Sequence, residues 1–430
     1  MKIAFYTLGC KVNLYETEAL KALFEARGFV MVSHKEAADV FVINTCTVTN
    51  QSAAKSRKAI RRAVRQNPDA VVAVIGCYSQ MEKDVVNDIP GVDIVMGTTR
   101  REKLLEHVEA LLNERRHIVD VQSVKRYKRV DALNVTSFED KTRAFVKIQD
   151  GCNQYCSFCI IPYARGPVRS RSKDDILREI QGLIDNGYKE FVLSGIHTGG
   201  YGTDLKDYSF YDLLEEISNL EGLKRLRISS IEINQINEQI IGLLKRKNVF
   251  ARHLHIPLQH GANSVLKRMK RRYDIETFEN TLQTIRKAIP GVAITTDVIA
   301  GYPGESDEEF ETMVETIKRL RFSELHVFPF SPRSGTVAAR EQPVHGSVKA
   351  KRVERLLALS KSLAKAYRLE ALTSERELEL LVETCEDGFA KGHTSEYIFA
   401  EVPLRDCRKN TLHTIQITDA AYPVARGKAA

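Results

Sequence analysis

Residues 143–159 read RAFVKIQDGCNQYCSFC. An apolar, β-prone run, RAFVKIQ, leads into three cysteines, Cys152, Cys156 and Cys159, spaced C-x3-C-x2-C. The run predicts a buried strand with a thiol-bearing loop at its exit. The pattern then repeats. Strand candidates EFVLSG, RLRISS, RHLHIPL, AITTDVIA and ELHVFPF alternate with the helical periods DDILREIQGLIDNG, FYDLLEEISNL, INEQIIGLLKRK, IETFENTLQTIRKAI and EEFETMVETIKRL. Alternation of this kind predicts parallel strands with helical crossovers. Six such units are too few for a complete eightfold barrel, which takes about 250 residues, so 143–370 reads as a partial (β/α)6 barrel. The cysteines follow its first strand and fall on the face where barrel active sites form.

Residues 1–115 carry a second strand–helix series and read as a doubly wound parallel-sheet domain, so the chain as a whole is α/β. Here KIAFYTL runs toward Cys10, DVFVINT into Cys46 and AVVAVIG into Cys77. Ligands of such sheets bind outside the carboxyl ends of the strands, so these cysteines, far apart in sequence, are expected to converge. Residues 116–142 are polar and charged and read as a linker between domains. A basic helix, SVKAKRVERLLALSKSLAKAYRLEAL, closes the barrel segment. Residues 371–430 change character: ELELLVET, GFAKGHTS, YIFAEVPL and TLHTIQITDA predict a small β-barrel, an architecture that often handles oligonucleotides.

The chain has 430 residues, 43% hydrophobic and 28% charged, with a net charge of +8 and a pI near 8.9. The balance is that of a soluble globular protein with a positive bias compatible with a nucleic-acid partner. No apolar run approaches the roughly 20 residues that span a bilayer, and no small-residue cleavage site follows the N-terminal strand, so a cytoplasmic protein without a membrane partner is expected. In that compartment the eight cysteines are poor candidates for disulfides. Cys385 and Cys407 read as isolated core residues.

A structural zinc site takes four ligands, whereas the 152–159 stretch offers three, with no further Cys or His in the next 30 residues. Three thiolates suit a [4Fe–4S] cluster that keeps one iron open. Convergent thiolates at Cys10, Cys46 and Cys77 point to a second metal site. Six exposed-type cations, Lys55, Arg57, Lys58, Arg61, Arg62 and Arg65, follow Cys46 with no acid among them, and Lys55, Lys58, Arg62 and Arg65 share a helical face suited to phosphate. LKRMKRRY forms a second basic cluster. His253 and His255 alternate along one strand and read as packing or substrate contacts. Ser306 and Glu309 form a capping box.

The C-x3-C-x2-C spacing after the first barrel strand, with the aromatic Phe158 before the third cysteine, resembles the radical S-adenosylmethionine (SAM) superfamily. The longer set TLGCKVN, NTCTVTNQSAAKSRK, IGCYSQ, GCNQYCSFCIIPYARGPVRSRS, HIPLQHGANSVLKRMKRRY and GYPGE, in that order, resembles the methylthiotransferase family over the whole chain. The resemblance implies that Cys152, Cys156 and Cys159 hold the [4Fe–4S] cluster that binds and cleaves SAM. It implies that Cys10, Cys46 and Cys77 hold an auxiliary [4Fe–4S] cluster carrying the sulfur to be inserted. It places Phe158, the backbone near Ser194 and Gly195, and the loop containing Gly301 around SAM. Ser229 and Glu232, at the exit of the third barrel strand, are candidates for its ribose or amine. The C-terminal barrel resembles the small TRAM-type RNA-binding domain of this family.

Within the family, TLGCKVN resembles the branch acting on N6-threonylcarbamoyladenosine (t6A), the hypermodified base just 3′ of some anticodons. Another branch, acting on isopentenyladenosine, tends to Gln and Met where this chain has Lys11 and Val12. The implied reaction is methylthio insertion at C2 of t6A37 in tRNA. The implied partners are tRNA, an electron donor and a sulfur-supplying system. Alternatives of the same chemistry act on isopentenyladenosine or a ribosomal protein. A non-enzymatic alternative is an iron–sulfur or zinc RNA-binding protein.

Overall fold

The computed structural model describes residues 1–131, 133–139 and 141–430. The first unit is a six-stranded, all-parallel sheet. Its strands are β1 (Lys2–Thr7), β2 (Val30–Val32), β3 (Val40–Thr45), β4 (Val71–Gly76), β5 (Ile94–Met96) and β6 (Ile118–Asp120), in the order β2-β1-β3-β4-β5-β6. β3 and β4 are buried along their whole length, which is why both read as unbroken apolar runs rather than alternating ones. Helix α1 (Lys11–Glu25) follows β1 and helix α2 (Asn50–Gln66) follows β3. The strand order reverses between β1 and β3, so the crevice at the switch point opens beside the residues that follow those two strands.

β6 belongs to the stretch expected as a linker, and the residues after it are packed down: Leu133, Val135 and Phe138 are buried in the main core. The next strand is β7 (Arg143–Lys147), followed by a two-stranded ribbon of β8 (Gln149–Asp150) and β9 (Arg169–Ser170) that brackets the cysteine loop. The wall of the second unit is completed by β10 (Glu190–Ser194), β11 (Arg225–Ile228), β12 (His253–His255), β13 (Ala293–Ala300) and β14 (Glu324–Pro329). These form two parallel ladders, β11-β10-β7 and β12-β13-β14. Parallel bridges at Leu226–Phe250 and Ser230–His255 join the ladders. The six strands therefore run in chain order around a partial barrel, and among the described residues no ladder joins β14 back to β7.

The N-terminal unit closes that gap from both sides. On the β7 side, Lys147 Nζ sits 2.6 Å from Glu16 of α1, and Tyr15 Oη donates to Glu179 at 2.8 Å. On the β14 side, Arg333 reaches Thr47 Oγ1 at 2.6 Å and Asn50 Oδ1 at 2.8 Å, at the start of α2. The helix Gly346–Thr373 leads to a closed five-stranded barrel of β15 (Glu377–Glu386), β16 (Phe389–Thr394), β17 (Phe399–Pro403), β18 (Leu412–Asp419) and β19 (Ala425–Ala429). The doubly wound sheet, partial barrel and small β-barrel expected from the sequence are all present.

Two expectations need correction. The terminal barrel has a fifth strand, β19, whose polar sequence ARGKA gives no apolar period; it pairs with β17 and β18 and closes the cylinder. Cys385 and Cys407 are not isolated core thiols but a disulfide, with Cα atoms 5.8 Å apart. The antiparallel course of β15, β16 and β17 brings the end of β15 and the loop beyond β17 to the same end of the barrel, a proximity that 22 residues of sequence separation conceal.

Candidate active site

The three N-terminal cysteines arrive by different routes at one place. Gly9 has φ +110° and lies so close to β3 that an added Cβ would sit 3.1 Å from Cys46 Cβ, so glycine is required to bring Cys10 beside Cys46. Gly76, at φ +104°, performs the same service for Cys77, packing against Asn44 and the backbone of Thr45 where any side chain would collide. Asn13, in the first turn of α1, ties the loops together. Its Nδ2 donates to Leu8 O at 2.8 Å and Thr45 O at 3.0 Å, and its Oδ1 accepts from Arg165 at 2.7 Å. Cys10 is exposed, whereas Cys46 and Cys77 are buried. Burial raises the Cys46 thiol and pushes Cys77 up to about 11.

Arg165, from the short helix Ile161–Arg165, is fully buried and donates from Nε to Cys77 Sγ at 3.3 Å. It belongs to a dry ion network. Glu16 contacts Lys147 and Arg165 at 2.6 Å each and Arg101 at 3.2 Å. Asp150 contacts Lys147 at 2.7 Å, Arg165 at 3.2 Å and Arg169 at 3.6 Å, and Arg101 pairs with Asp131 at 2.8 Å. Four cations, Arg101, Lys147, Arg165 and Arg169, thus face three carboxylates, Glu16, Asp131 and Asp150. The excess positive charge adjoins Cys77, so the donor set fits an anionic thiolate–metal group better than three neutral thiols. Against the opposing effect of burial, Arg101, Arg165 and Lys147 hold Glu16, and with Arg169 also Asp150, well below the ordinary carboxylate range.

The second trio is shaped by the loop after β8. Tyr155, at φ +47°, curls the chain between Cys152 and Cys156. Ser157 then pins the loop to the turn at 268–269, its Oγ donating to Arg268 O at 2.8 Å and its N–H to Met269 O at 3.1 Å. Cys152 and Cys159 are half-buried and Cys156 is buried. Burial pushes Cys152 up to about 11 and Cys159 up to about 12, so metal binding at these thiols must displace protons. Arg271 donates to Cys156 Sγ at 3.3 Å and pairs with Glu232. Burial raises the Glu232 carboxyl, and Arg271 opposes that rise. Each trio therefore has one arginine on one sulfur, and a metal group held by either trio would take its fourth ligand from something other than cysteine.

One cysteine of each trio lines a cavity: Cys10 the larger, the lumen, and Cys159 a smaller neighbour. A cavity of about 440 Å³ is lined by Gly9, Cys10 and Lys11 from the N-terminal unit, by Ser194, Gly195, Ser229 and His255 from the barrel, and by Tyr397 from the C-terminal barrel. A second cavity of about 220 Å³ holds Phe158 and Cys159 against Ile299 and Phe330. Asp297 lines both. Its carboxylate lies 3.2 Å from His255 Nε2 and 3.3 Å from His326 Nδ1, and these bonds hold it below the usual carboxylate range despite burial. His253 is buried and stacks on Tyr397.

The structure thus brings Cys10, Ser194, Gly195 and Ser229 to one cavity and Phe158 and Cys159 to its neighbour. Glu232 sits in the Arg271 pair. Gly301 is outside both cavities: its N–H donates to Glu305 at 3.1 Å, and an added Cβ would meet Lys349. On α2, Lys55, Lys58, Arg61, Arg62 and Arg65 are exposed. Arg57 is turned inward, donating to Tyr78 Oη at 2.9 Å. Sequence reading assigned no role to Arg165, Arg271, Asn13 or Glu16. Arg165, Asn13 and Arg271 lie inside stretches that signalled the family, and Arg271 also inside the basic cluster LKRMKRRY, but nothing in one sequence says that the two arginines are turned onto sulfur.

Residues 2–97 match the model of uncharacterized protein family UPF0004, and residues 146–317 match that of the radical SAM superfamily. Among curated proteins, the chain is 48% identical to the threonylcarbamoyladenosine tRNA methylthiotransferase MtaB of Bacillus subtilis, over 99% of this chain and 96% of that one. It is 35% identical to the tRNA-2-methylthio-N(6)-dimethylallyladenosine synthase of Carboxydothermus hydrogenoformans, over 83% of each chain. Among solved structures, the radical SAM methyltransferase TsrM of Kitasatospora setae, with cobalamin and a [4Fe–4S] cluster bound, superposes with a TM-score of 0.59 at 16% identity. That match covers 79% of this chain and 77% of that one, and it shows a shared fold. With matches to both family models and 48% identity to a methylthiotransferase over nearly its full length, the chain belongs to the radical SAM methylthiotransferase family.

Proposed function

We propose that this protein inserts a methylthio group at C2 of N6-threonylcarbamoyladenosine, at position 37 beside the tRNA anticodon. The observation that carries this reading is 48% identity, over nearly the whole chain, to a methylthiotransferase of that named specificity, and it is supported by Cys10 and Cys159 lining neighbouring cavities that share Asp297. Cys152, Cys156 and Cys159 hold the cluster that binds SAM. Cys10, Cys46 and Cys77 hold the auxiliary cluster. When bound, SAM and the two [4Fe–4S] clusters supply radical hydrogen abstraction and the sulfur to be transferred.

The chain's own residues hold and shield. Arg165 and Arg271 stabilise thiolate sulfur at Cys77 and Cys156. The walls at Ser194, Gly195 and Ser229 give SAM a polar berth beside Cys10, and the N-terminal unit, seated across the barrel's open side, keeps bulk water out. Exposed cations of α2 bind tRNA phosphates, and the C-terminal barrel adds an RNA contact. An electron donor and a sulfur-supplying system complete the partners, in the cytoplasm; among the described residues no helix is long and apolar enough to cross a membrane.

Nucleoside mass spectrometry of total tRNA from cells with and without the protein tests the reading. Loss of 2-methylthio-t6A with accumulation of t6A is the expected result. If that nucleoside persists while the isopentenyl counterpart disappears, the substrate assignment falls and the chemistry stands. In purified protein, Cys156→Ala should abolish SAM cleavage. Cys46→Ala should retain unproductive SAM cleavage and make no methylthio product; product from that variant would refute the sulfur role of the N-terminal trio.

A further inference from the structure

The lumen's charge is uneven in a way the two cluster sites do not use. Among its described lining residues the acid is Asp297, already held between His255 and His326. The cations are Lys11 and Arg227. Arg227 is committed to the protein: its Nε donates to Glu190 at 2.9 Å, and its Nη atoms donate to Ser395 O at 3.1 Å and Thr394 O at 3.2 Å. Lys11 differs. It is the first residue of α1, it faces the cavity, and among the described residues no ion pair or hydrogen bond engages its ammonium.

Helix stability gives no reason for it. A cation in the first turn opposes the helix macrodipole, and α1 has no acid there to offset it. Lys11 is solvent-exposed at the mouth of the cavity, so its ammonium is free to meet an anion brought from outside.

The substrate's geometry says which anion. C2 and N6 of adenine flank N1 on the same edge of the base. A nucleoside whose C2 approaches the group held by Cys10, Cys46 and Cys77 therefore carries its N6-substituent into the cavity that Cys10 and Lys11 line. A threonine joined through its nitrogen to the carbamoyl group keeps its carboxylate free, whereas a dimethylallyl group is uncharged. We propose that Lys11 is a specificity-determining residue: its ammonium, in the lumen beside Cys10, pairs with the carboxylate of the N6-threonylcarbamoyl group. This rests on the t6A reading above.

The test measures binding of anticodon stem-loop RNAs to the full-length, cluster-loaded protein by fluorescence anisotropy. Three RNAs are used, with t6A, t6A amidated at its carboxylate, or plain adenosine at position 37. Wild type should bind the t6A RNA about tenfold more tightly than the amidated one, the scale of one charge-assisted hydrogen bond. Lys11→Met should lose that difference and leave plain-adenosine binding unchanged, and Lys11→Arg should restore part of it. Iron and sulfide content per chain checks that the neighbouring cluster is intact, and the amidated RNA tests the idea on wild type if the variant does not load. Equal weakening of all three RNAs by Lys11→Met would make Lys11 a general RNA contact and overturn the proposal. So would an undiminished preference for t6A over its amide in that variant. If wild type itself shows no preference for t6A over plain adenosine, and the tRNA mass spectrum keeps 2-methylthio-t6A without the protein, the substrate reading has failed rather than the role of Lys11 within it.

Discussion

Arg165 occupies a demanding position at the seam of the two principal units. It is fully buried, spans both principal units, and meets Cys77, Asn13, Glu16 and Asp150 at once. Buried ion pairs gain little over a well-packed apolar core, but removing one partner leaves charge stranded. Arg165→Met should therefore destabilise the protein by about 3–5 kcal/mol in urea unfolding, far more than a surface Arg→Met. A loss under about 1 kcal/mol would mean that the network relaxes around the gap. Legibility at this scale was divided. The spacing of Cys152, Cys156 and Cys159 is visible because a cluster loop is local. Arg165 and Arg271 are silent because the sulfurs they meet lie 88 and 115 residues away in sequence.

Elements show how local chemistry and charge divide their work. The helix Asp307–Leu320 begins with Ser306 accepting from Glu309 N–H at 3.1 Å, while Glu309 accepts in return from Ser306 N–H at 3.1 Å. Ser306→Ala should cost about 1 kcal/mol. The hydrogen bond from Arg268 to Glu309 lowers its carboxyl from 4.5 to about 2. A depressed carboxylate stabilises the fold fully above its unfolded value and loses that contribution as pH falls through the folded one. Wild-type stability should therefore decline between about pH 4.5 and 2 more steeply than that of Glu309→Gln, as read by thermal unfolding across that range. The capping box was readable from the sequence because both partners lie three residues apart. Helix α2 is the opposite case in function: its outer face is a row of cations with no folding role. Arg61→Glu combined with Arg62→Glu should weaken tRNA binding and flatten its salt dependence while iron content stays unchanged. Unaltered affinity would remove that face from the RNA interface. Arg57 should contribute less, since Tyr78 holds it inward.

Across the whole molecule, the architecture followed from periodicity, and the site followed from closure. Alternating strand and helix patterns determined two parallel α/β units, six barrel strands and a C-terminal β-barrel, because backbone pairing and hydrophobic face are set by residues near in sequence. Three strands running toward cysteine determined which edge of the first sheet would carry chemistry, since parallel strands deliver their exits to one side. What only the tertiary structure decided lies between units. The N-terminal sheet seats across the open side of the partial barrel, through Glu16 and Lys147 on one flank and Thr47, Asn50 and Arg333 on the other. That seating brings Cys10 and Lys11 onto a cavity lined by Ser194 and Ser229 of the barrel, and buries the network of Glu16, Lys147, Asp150 and Arg165 beside Cys77. The Cys385–Cys407 pair and the polar strand β19 were hidden for the same reason. Contacts between residues distant in sequence depend on how whole elements pack, and neither periodicity nor spacing records that packing.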